Sequence, residues 1–463
     1  MKRKITTILV LALALTTLQL SAKSQLKNPF KQMKKVLRAI HEPKFPNREY
    51  QMLDYYNGTD SLYTAAINEA INTCSQQGGG HVIIPDGTWK TGPIRLKSNV
   101  DLHLSDKAHL LFSTDPRIFP TVLTREEGID CYNISPLIYA YGEKNIAITG
   151  KGIMDGQSDE TNWQKKERRN IQKDSKGKIG ERNLLLEYKV NRTPIEQRRF
   201  EGMMGMRPQF VNTYKCENVL IEGPTFNRSP FWILHPLLSK NVIVRDVNLD
   251  SHGRNNDGCD PESCENVLIE RCRFNTGDDC IAIKSGKDED GRVWNIPSKN
   301  IIIRNCEMKD GHAGVGIGSE ITGGCENVWV ENCKMDSPNL TRVIRIKSNP
   351  ERGGEVKNLY VRNVEVGVCD LAVLGIEQKY WYTPTGPYMP YFHDFYFENV
   401  KSSGSKYALH IDGHEGTAQV ENIYMKNCRF DNVSMPEHNM IIGTRNILLD
   451  NVYINGEKQP SER

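Results

Sequence analysis

One short pattern recurs down the chain, and it leaves few folds open. It reads "EKNIAITG" from residue 143, "CENVLIEGPTF" from 216, "SKNVIVRDVNL" from 239, "CENVLIERCRF" from 264 and "SKNIIIRNCEM" from 298. It continues as "CENVWVENCKM" from 325, "VKNLYVRNVEV" from 356, "FHDFYFENVKS" from 392, "VENIYMKNCRF" from 420 and "TRNILLDNVYI" from 444. The key asparagine falls at 145, 218, 241, 266, 300, 327, 358, 422 and 446, with Asp394 replacing it once. From 218 onward the steps are roughly 23 to 36 residues. Within each unit apolar and polar residues alternate, with Val, Ile, Tyr and Phe enriched, which is strand chemistry. A second strand follows in each unit and aligns on Leu234, Ile283, Ile317, Ile346, Ile376 and Ile411. Short strands in a repeating coil, stacked many times, predict an all-β parallel β-helix. The recurrent Asn is expected in a turn, its amide bonded to the same residue one coil away.

This repeat changes the reading of twelve cysteines. Cys216, Cys264 and Cys325 share one repeat position, and Cys272, Cys306, Cys333 and Cys428 share another. Stacked positions lie about 4.8 Å apart with parallel Cβ vectors, wider than a disulfide accepts. Most are therefore expected to be small buried hydrophobes. Ahead of the repeats, residues 59–74 show helical spacing, with Asp60 or Ser61 as the N-cap, and predict a helix closing the N-terminal end of the coil stack. Residues 78–104 read as the first coils. Residues 157–206 are polar, charged and poorly periodic, and read as an insertion, either a lid or groove wall or a surface loop without structure.

The N-terminus carries Lys2, Arg3 and Lys4, then a short apolar run, then small residues around Ser24. That pattern predicts a signal peptide over 1–24 and a periplasmic or secreted protein. A linker over 25–45 and a catalytic β-helix over 46–463 are expected to follow. Net charge is +3, and no basic run is interleaved with aromatics, so nucleic acid is not indicated. No membrane anchor is expected, and a monomer is.

Four further motifs fall on consecutive coils: "NNDGCD" (255–260), "GDDC" (277–280), "GHAG" (311–314) and "RIK" (345–347). Asp278 lies five residues before Ile283 and His312 five before Ile317, so the two should share a column one coil apart. Arg345 and Lys347 flank an inward Ile346 and should both face outward. Ala282, Gly316, Gly318 and Gly375 hold outward positions on neighbouring strands and should form a groove floor. Crowded carboxylates are a means of keeping one protonated while another stays ionised, as glycoside hydrolysis requires. Arg345 and Lys347 suit a substrate that is itself a carboxylate.

The four motifs in this order resemble glycoside hydrolase family 28, the polygalacturonases, over roughly residues 46 to 455. The resemblance implies a right-handed β-helix and hydrolysis by single displacement with inversion. By position it implies Asp278 as general acid, Asp257 and Asp279 as holders and activators of the water, and His312 as the group that tunes the acid. It implies that Arg345 and Lys347 grip a galacturonate carboxylate. Asn255 and Asp260 are further candidates for substrate binding, Asp260 having a turn role as its alternative. Where the family usually has Thr and a second Gly, this chain has Asn256 and Ala313, which leaves substrate preference open. No cofactor and no metal are expected.

The expected activity is cleavage of α-1,4-linked galacturonic acid in pectic polysaccharide. The insertion, the loop 378–391 and the resemblance of 281–292 to exo-acting members point to attack from a chain end. The alternatives are a rhamnogalacturonan hydrolase of the same family, a Ca²⁺-dependent pectic lyase on a β-helix, and a non-enzymatic carbohydrate-binding β-helix.

Overall fold

The computed structural model describes residues 29–165, 180–200, 206–417, 419–436 and 441–462. The signal peptide read over 1–24 lies outside them. The chain divides into two compact units, Met1–Ala39 and Ile40–Arg463. The described part of the first is helix α1, Pro29–Ala39, where a linker was expected. Phe30, Met33 and Val36 recur along it every third residue, the spacing of one helix face.

The second unit is a right-handed parallel β-helix. Its largest sheet has 24 strands, and the coils pair in parallel register one above the next. One inward column runs Ile146, Val219, Val242, Val267, Ile301, Val328, Leu359, Phe395, Ile423 and Ile447. All ten are buried. Helix α2, Thr64–Gln76, packs Ala66, Ile67, Ala70, Ile71 and Cys74 into the same core. It begins later than expected. Tyr63 holds the N-cap without a side-chain bond, and the segment ahead of it turns on Asn57, whose amide oxygen accepts from the backbone N–H groups of Thr59 and Asp60.

The asparagine ladder forms as the repeat predicts. Asn145, Asn218, Asn241, Asn266, Asn300, Asn327 and Asn358 each donate from Nδ2 to the Oδ1 of the preceding rung, at 2.9–3.4 Å. Asn422 bonds Asp394 and Asn446 bonds Asn422 in the same way. Every rung, from Asn99 onward, has a positive φ, from 52° to 63°. Asn and Asp are the non-glycine residues best suited to that conformation, which explains why Asp394 can replace Asn once. A second ladder, Asn332–Asn363–Asn399 and Asn427–Asn451, runs at the next turn. All twelve cysteines are free and buried.

The other face of the coil carries the site. A four-stranded sheet comprises β1 (Ile94–Arg95), β2 (Ile138–Tyr141), β3 (Val211–Tyr214) and β4 (Leu234–Leu237). A six-stranded sheet comprises β5 (Ile281–Ile283), β6 (Gly311–Gly318), β7 (Leu340–Lys347), β8 (Ala372–Glu377), β9 (Tyr407–Asp412) and β10 (Ile441–Ile442). Ile283, Ile317, Ile346, Ile376 and Ile411 stack as predicted. Leu234 departs by two residues: through Cys259 it aligns with Ile281.

Within the insertion, helix α3 (Glu181–Val190) folds against the hairpin formed by Thr121–Glu126 and Ile129–Ile134. Leu185 is buried with Ile129, Cys131, Phe200 and Met206. Arg182 pairs with Glu127 at 2.7 Å. Lys189 pairs with Asp288 and Arg198 with Asp290, both on helix α4, Asp288–Trp294. The described part of the insertion is thus a packed wall.

Candidate active site

Parallel register sets the groove floor. Ala282, Gly316, Arg345 and Gly375 form one row across β5 to β8, and Gly318, Lys347 and Glu377 form the adjacent row. Two of the four glycines of β6, Gly316 and Gly318, thus lie in the floor. A Cβ on Gly316 would lie 3.0 Å from Asp279 Oδ2.

The paired aspartates ahead of β5 take different environments. Asp279 is fully buried, whereas the side chain of Asp278 is 19% exposed. His312 Nδ1 lies 2.9 Å from Asp278 Oδ1, and the His312 N–H donates to the Asp278 carbonyl at 3.2 Å. The predicted column is therefore a contact. Lys347 Nζ donates to Asp279 Oδ2 at 2.7 Å. Asp257 stands one coil earlier, where the Gly258 N–H donates to the Asp279 carbonyl at 3.0 Å. One oxygen from each of Asp257, Asp278 and Asp279 falls within 4.8 Å of the others. That spacing suits a cation, and Lys284, Lys347 and His312 bring positive charge to the same group.

Asn256 fixes the loop before Asp257. Its Oδ1 accepts from Ser251 Oγ and the Gly253 N–H, and its Nδ2 donates to the Ser229 and Phe231 carbonyls. The departure from the family's Thr thus fills a buried framework position. Asn255 is half-buried and its Oδ1 accepts from Arg207 at 2.8 Å, a bond that leads away from the carboxylates. Asp260 is wholly buried, 3.6 Å from Lys284, so it acts on the site through that cation. Arg345 donates to Glu377 at 3.1 Å, and both Arg345 and Lys347 stand 5.6 Å from the Tyr380 ring. The loop 378–391 therefore reaches the site.

Sequence reasoning missed Lys284. Its ammonium, wholly buried, lies 3.8 Å from Asp257, 3.6 Å from Asp260 and 3.3 Å from Glu320, and 4.5 Å from the Trp232 ring. A signal existed: Lys284 follows Ile283 as Lys347 follows Ile346, on aligned strands. Glu320 gave no such signal, because it leaves the strand beyond Gly318 and reaches Lys284 only through a turn.

Protonation in the free protein differs from the sequence expectation. Burial, then repulsion from Asp260 and Asp278, pushes Asp257 well above the ordinary carboxyl range. Burial raises Asp260 in the same way, against the pull of Lys284. Burial also works to raise Asp278, but the bond and charge of His312 outweigh it and hold Asp278 at about 2. The same bond raises His312 above its ordinary value. Burial thus favours the neutral form of Asp257 and Asp260, while the bond between Asp278 and His312 favours the carboxylate on one and the imidazolium on the other.

Comparison with known proteins agrees with this geometry. The family model described as glycosyl hydrolases family 28 matches residues 203–446. A probable polygalacturonase from Vitis vinifera is 30% identical over 66% of this chain and 57% of its own length. An exo-poly-alpha-D-galacturonosidase from Dickeya chrysanthemi is 27% identical over 76% of this chain and 62% of its own. The chain thus spans about three fifths of the length of these two relatives. The crystal structure of a hyperthermoactive exopolygalacturonase from Thermotoga maritima superposes with a TM-score of 0.85 at 38% identity, covering 92% of this chain and 96% of that one. With four motifs on one face of a parallel β-helix and the family model spanning that face, the chain belongs to glycosyl hydrolase family 28.

Proposed function

We propose that the protein hydrolyses α-1,4-linked galacturonic acid in pectic polysaccharide, releasing units from a chain end with inversion. The observation that carries this reading is the Asp278–His312 pair at the open side of the buried Asp257 and Asp279, beside the outward Arg345 and Lys347. Asp278, the most exposed of the three aspartates, delivers the proton to the leaving oxygen. A substrate that displaces water from the groove disfavours the ion pair, since separated charges lose most on desolvation. The shared proton then moves from His312 Nδ1 to Asp278, which becomes the acid. Asp279, on Lys347, holds the water. Asp257 activates that water in its ionised form, taking the proton the water gives up, and Lys284 is the cation that favours that form.

Arg345 and Lys347 bind a galacturonate carboxylate, and Tyr380 closes over them. Asn255, half-buried in the loop before Asp257, is the further substrate contact, and Asp260, wholly buried, acts only through Lys284. Attack from a chain end is supported by the likeness to the Thermotoga maritima exopolygalacturonase. It is supported too by the insertion, whose Lys189 and Arg198 are tied to α4 immediately after the Lys284 coil. An exported monomer fits a polymeric substrate that stays outside the cell. Among the described residues no helix is long and apolar enough to cross a membrane.

The test is digestion of polygalacturonate with viscosity, new reducing ends and unsaturated uronide absorbance followed together. Reducing ends that appear with little loss of viscosity and no unsaturated product support the proposal. An early collapse of viscosity refutes end attack, and unsaturated product refutes hydrolysis. The nearest carboxyl oxygens stand closer than the roughly 6.5–9.5 Å usual for inverting pairs. Proton NMR of the first-formed anomer therefore tests inversion separately.

A further inference from the structure

We propose that Arg342, with His410, forms a second carboxylate subsite that reads the uronate unit next to the one held by Arg345 and Lys347. The inference rests on the polygalacturonate reading and deepens it.

Arg342 is three residues before Arg345 on the same strand, β7. The two side chains converge on one carboxylate. Arg342 Nη2 lies 2.7 Å from Glu377 Oε1, and Arg345 Nη2 lies 3.1 Å from Glu377 Oε2. Glu377 thus bridges two guanidinium groups with one oxygen each and leaves the rest of each planar fork unused. Arg342 reaches it by lying across the next coil: a Cβ on Gly375 would meet Arg342 Cδ at 2.5 Å and Nε at 2.9 Å. The floor position at Gly375 is therefore occupied by an arginine from its neighbour. One coil further, Gly375 pairs with His410.

Four buried atoms in this cluster make no hydrogen bond among the described residues: the nitrogens Arg342 Nε, Arg345 Nε and His410 Nδ1, and Glu377 Oε1, which meets Arg342 as an ion pair only. Buried donors of this kind are rare unless a ligand uses them. Lys347 adds a fourth nitrogen group in the same row as Glu377. Among the described residues Glu377 is the one acidic side chain paired with the two arginines, and Asp412, next in its row, is already held by Lys379 at 2.8 Å. Burial and the neighbouring Arg345 both work against the charge on Arg342. An anionic ligand relieves that strain on the charge. The cluster extends from the Arg345–Lys347 pair toward the later coils. An acidic polysaccharide lying along the coil axis presents a carboxylate on each unit, so the unit after the one on Arg345 and Lys347 meets Arg342.

The test measures binding of galacturonate, digalacturonate and trigalacturonate by calorimetry, using the full chain carrying Asp278→Asn to prevent turnover. In this parent, affinity should climb as units are added. Adding Arg342→Gln should abolish one of those increments, by about ten- to a hundredfold, the worth of a charge-assisted bond to a carboxylate. Gly375→Ala keeps the arginine but displaces it, and should remove the same increment. Arg342→Lys should restore part of it. An unchanged series overturns the proposal. An equal loss for all three ligands also overturns it, because Arg342 would then act only by positioning Arg345. If the parent binds none of the three, the polygalacturonate reading fails first and the subsite with it.

Discussion

Replacing Lys284 with Met removes a cation that no motif marks, and the structure sets the size of the effect. The ammonium is wholly buried, and its nearest carboxylate, Glu320, is 3.3 Å away. At an effective dielectric constant of about 20, that contact alone is worth about 5 kcal/mol. Removing Lys284 also removes its own desolvation penalty, so the expected loss is about 3–5 kcal/mol near pH 7, as for other broken buried pairs. The pH dependence carries the sign. Burial works to raise Glu320, but Lys284 and then Arg352 outweigh it and hold it below its unfolded value. The wild type therefore keeps this contribution above the unfolded Glu pKa, about 4.3, and loses it only as pH falls toward the lower folded value.

In the variant, Glu320 loses the first of the cations that hold it down, so burial raises its folded value. Groups with raised folded pKa values favour the native state as pH falls, because the native state then binds more protons than the unfolded one. The gap between wild type and variant should thus narrow from pH 7 to pH 5. Urea unfolding followed by tryptophan fluorescence at both pH values measures it. A loss below about 1 kcal/mol at pH 7, or a gap that does not narrow, would refute the electrostatic account of Lys284.

Asp278→Asn should lower turnover by at least about 10²–10⁴-fold, measured as reducing ends from polygalacturonate, with the fold retained and the melting temperature somewhat lowered by loss of the His312 pair; near-wild-type turnover contradicts the acid role. In the wild type the alkaline limb of the kcat/KM profile should lie above the ordinary histidine value of about 6.5, because the Asp278 bond raises His312 and activity falls as that shared proton is lost. His312→Gln should move the limb to lower pH, and a limb that stays in place removes His312 from the proton balance. Arg345→Ala and Lys347→Ala should weaken binding of polygalacturonate more than of its methyl ester, as seen by comparing KM on the two polymers; equal losses would end the carboxylate assignment. Asn300→Ala should destabilise by about 2–3 kcal/mol, since it strains a residue at φ 60° and breaks two ladder bonds. Asn300→Gly should recover about 1 kcal/mol of that in thermal melts.

The sequence by itself determined the coil. A recurring Asn in a left-handed turn, followed by alternating Val and Ile, admits stacked parallel strands and little else, because both the φ preference and the face alternation are local properties. It also determined that Asp278 meets His312, since equal distances to stacked isoleucines become equal heights on adjacent coils. That reasoning weakened at the coil where Cys259 takes the core position: a different turn length moved Leu234 two residues out of its column.

Only the tertiary structure decided which carboxyl keeps its proton. Asp257, Asp278 and Asp279 are the same kind of side chain in the sequence, and depth and neighbours separate them: His312 on one, Lys347 on another, and burial beside Asp260 for the third. Lys284, Glu320 and Tyr380 reach the site from outside the four motifs, through a strand end, a turn and a loop whose distances from one another no spacing rule encodes. In the sequence Arg342 is an ordinary strand residue. Its meaning came from Gly375, a bare position one coil away that lets a long side chain cross. A repeat fixes which residues share a height; what a side chain meets at that height depends on every other coil and loop that arrives there.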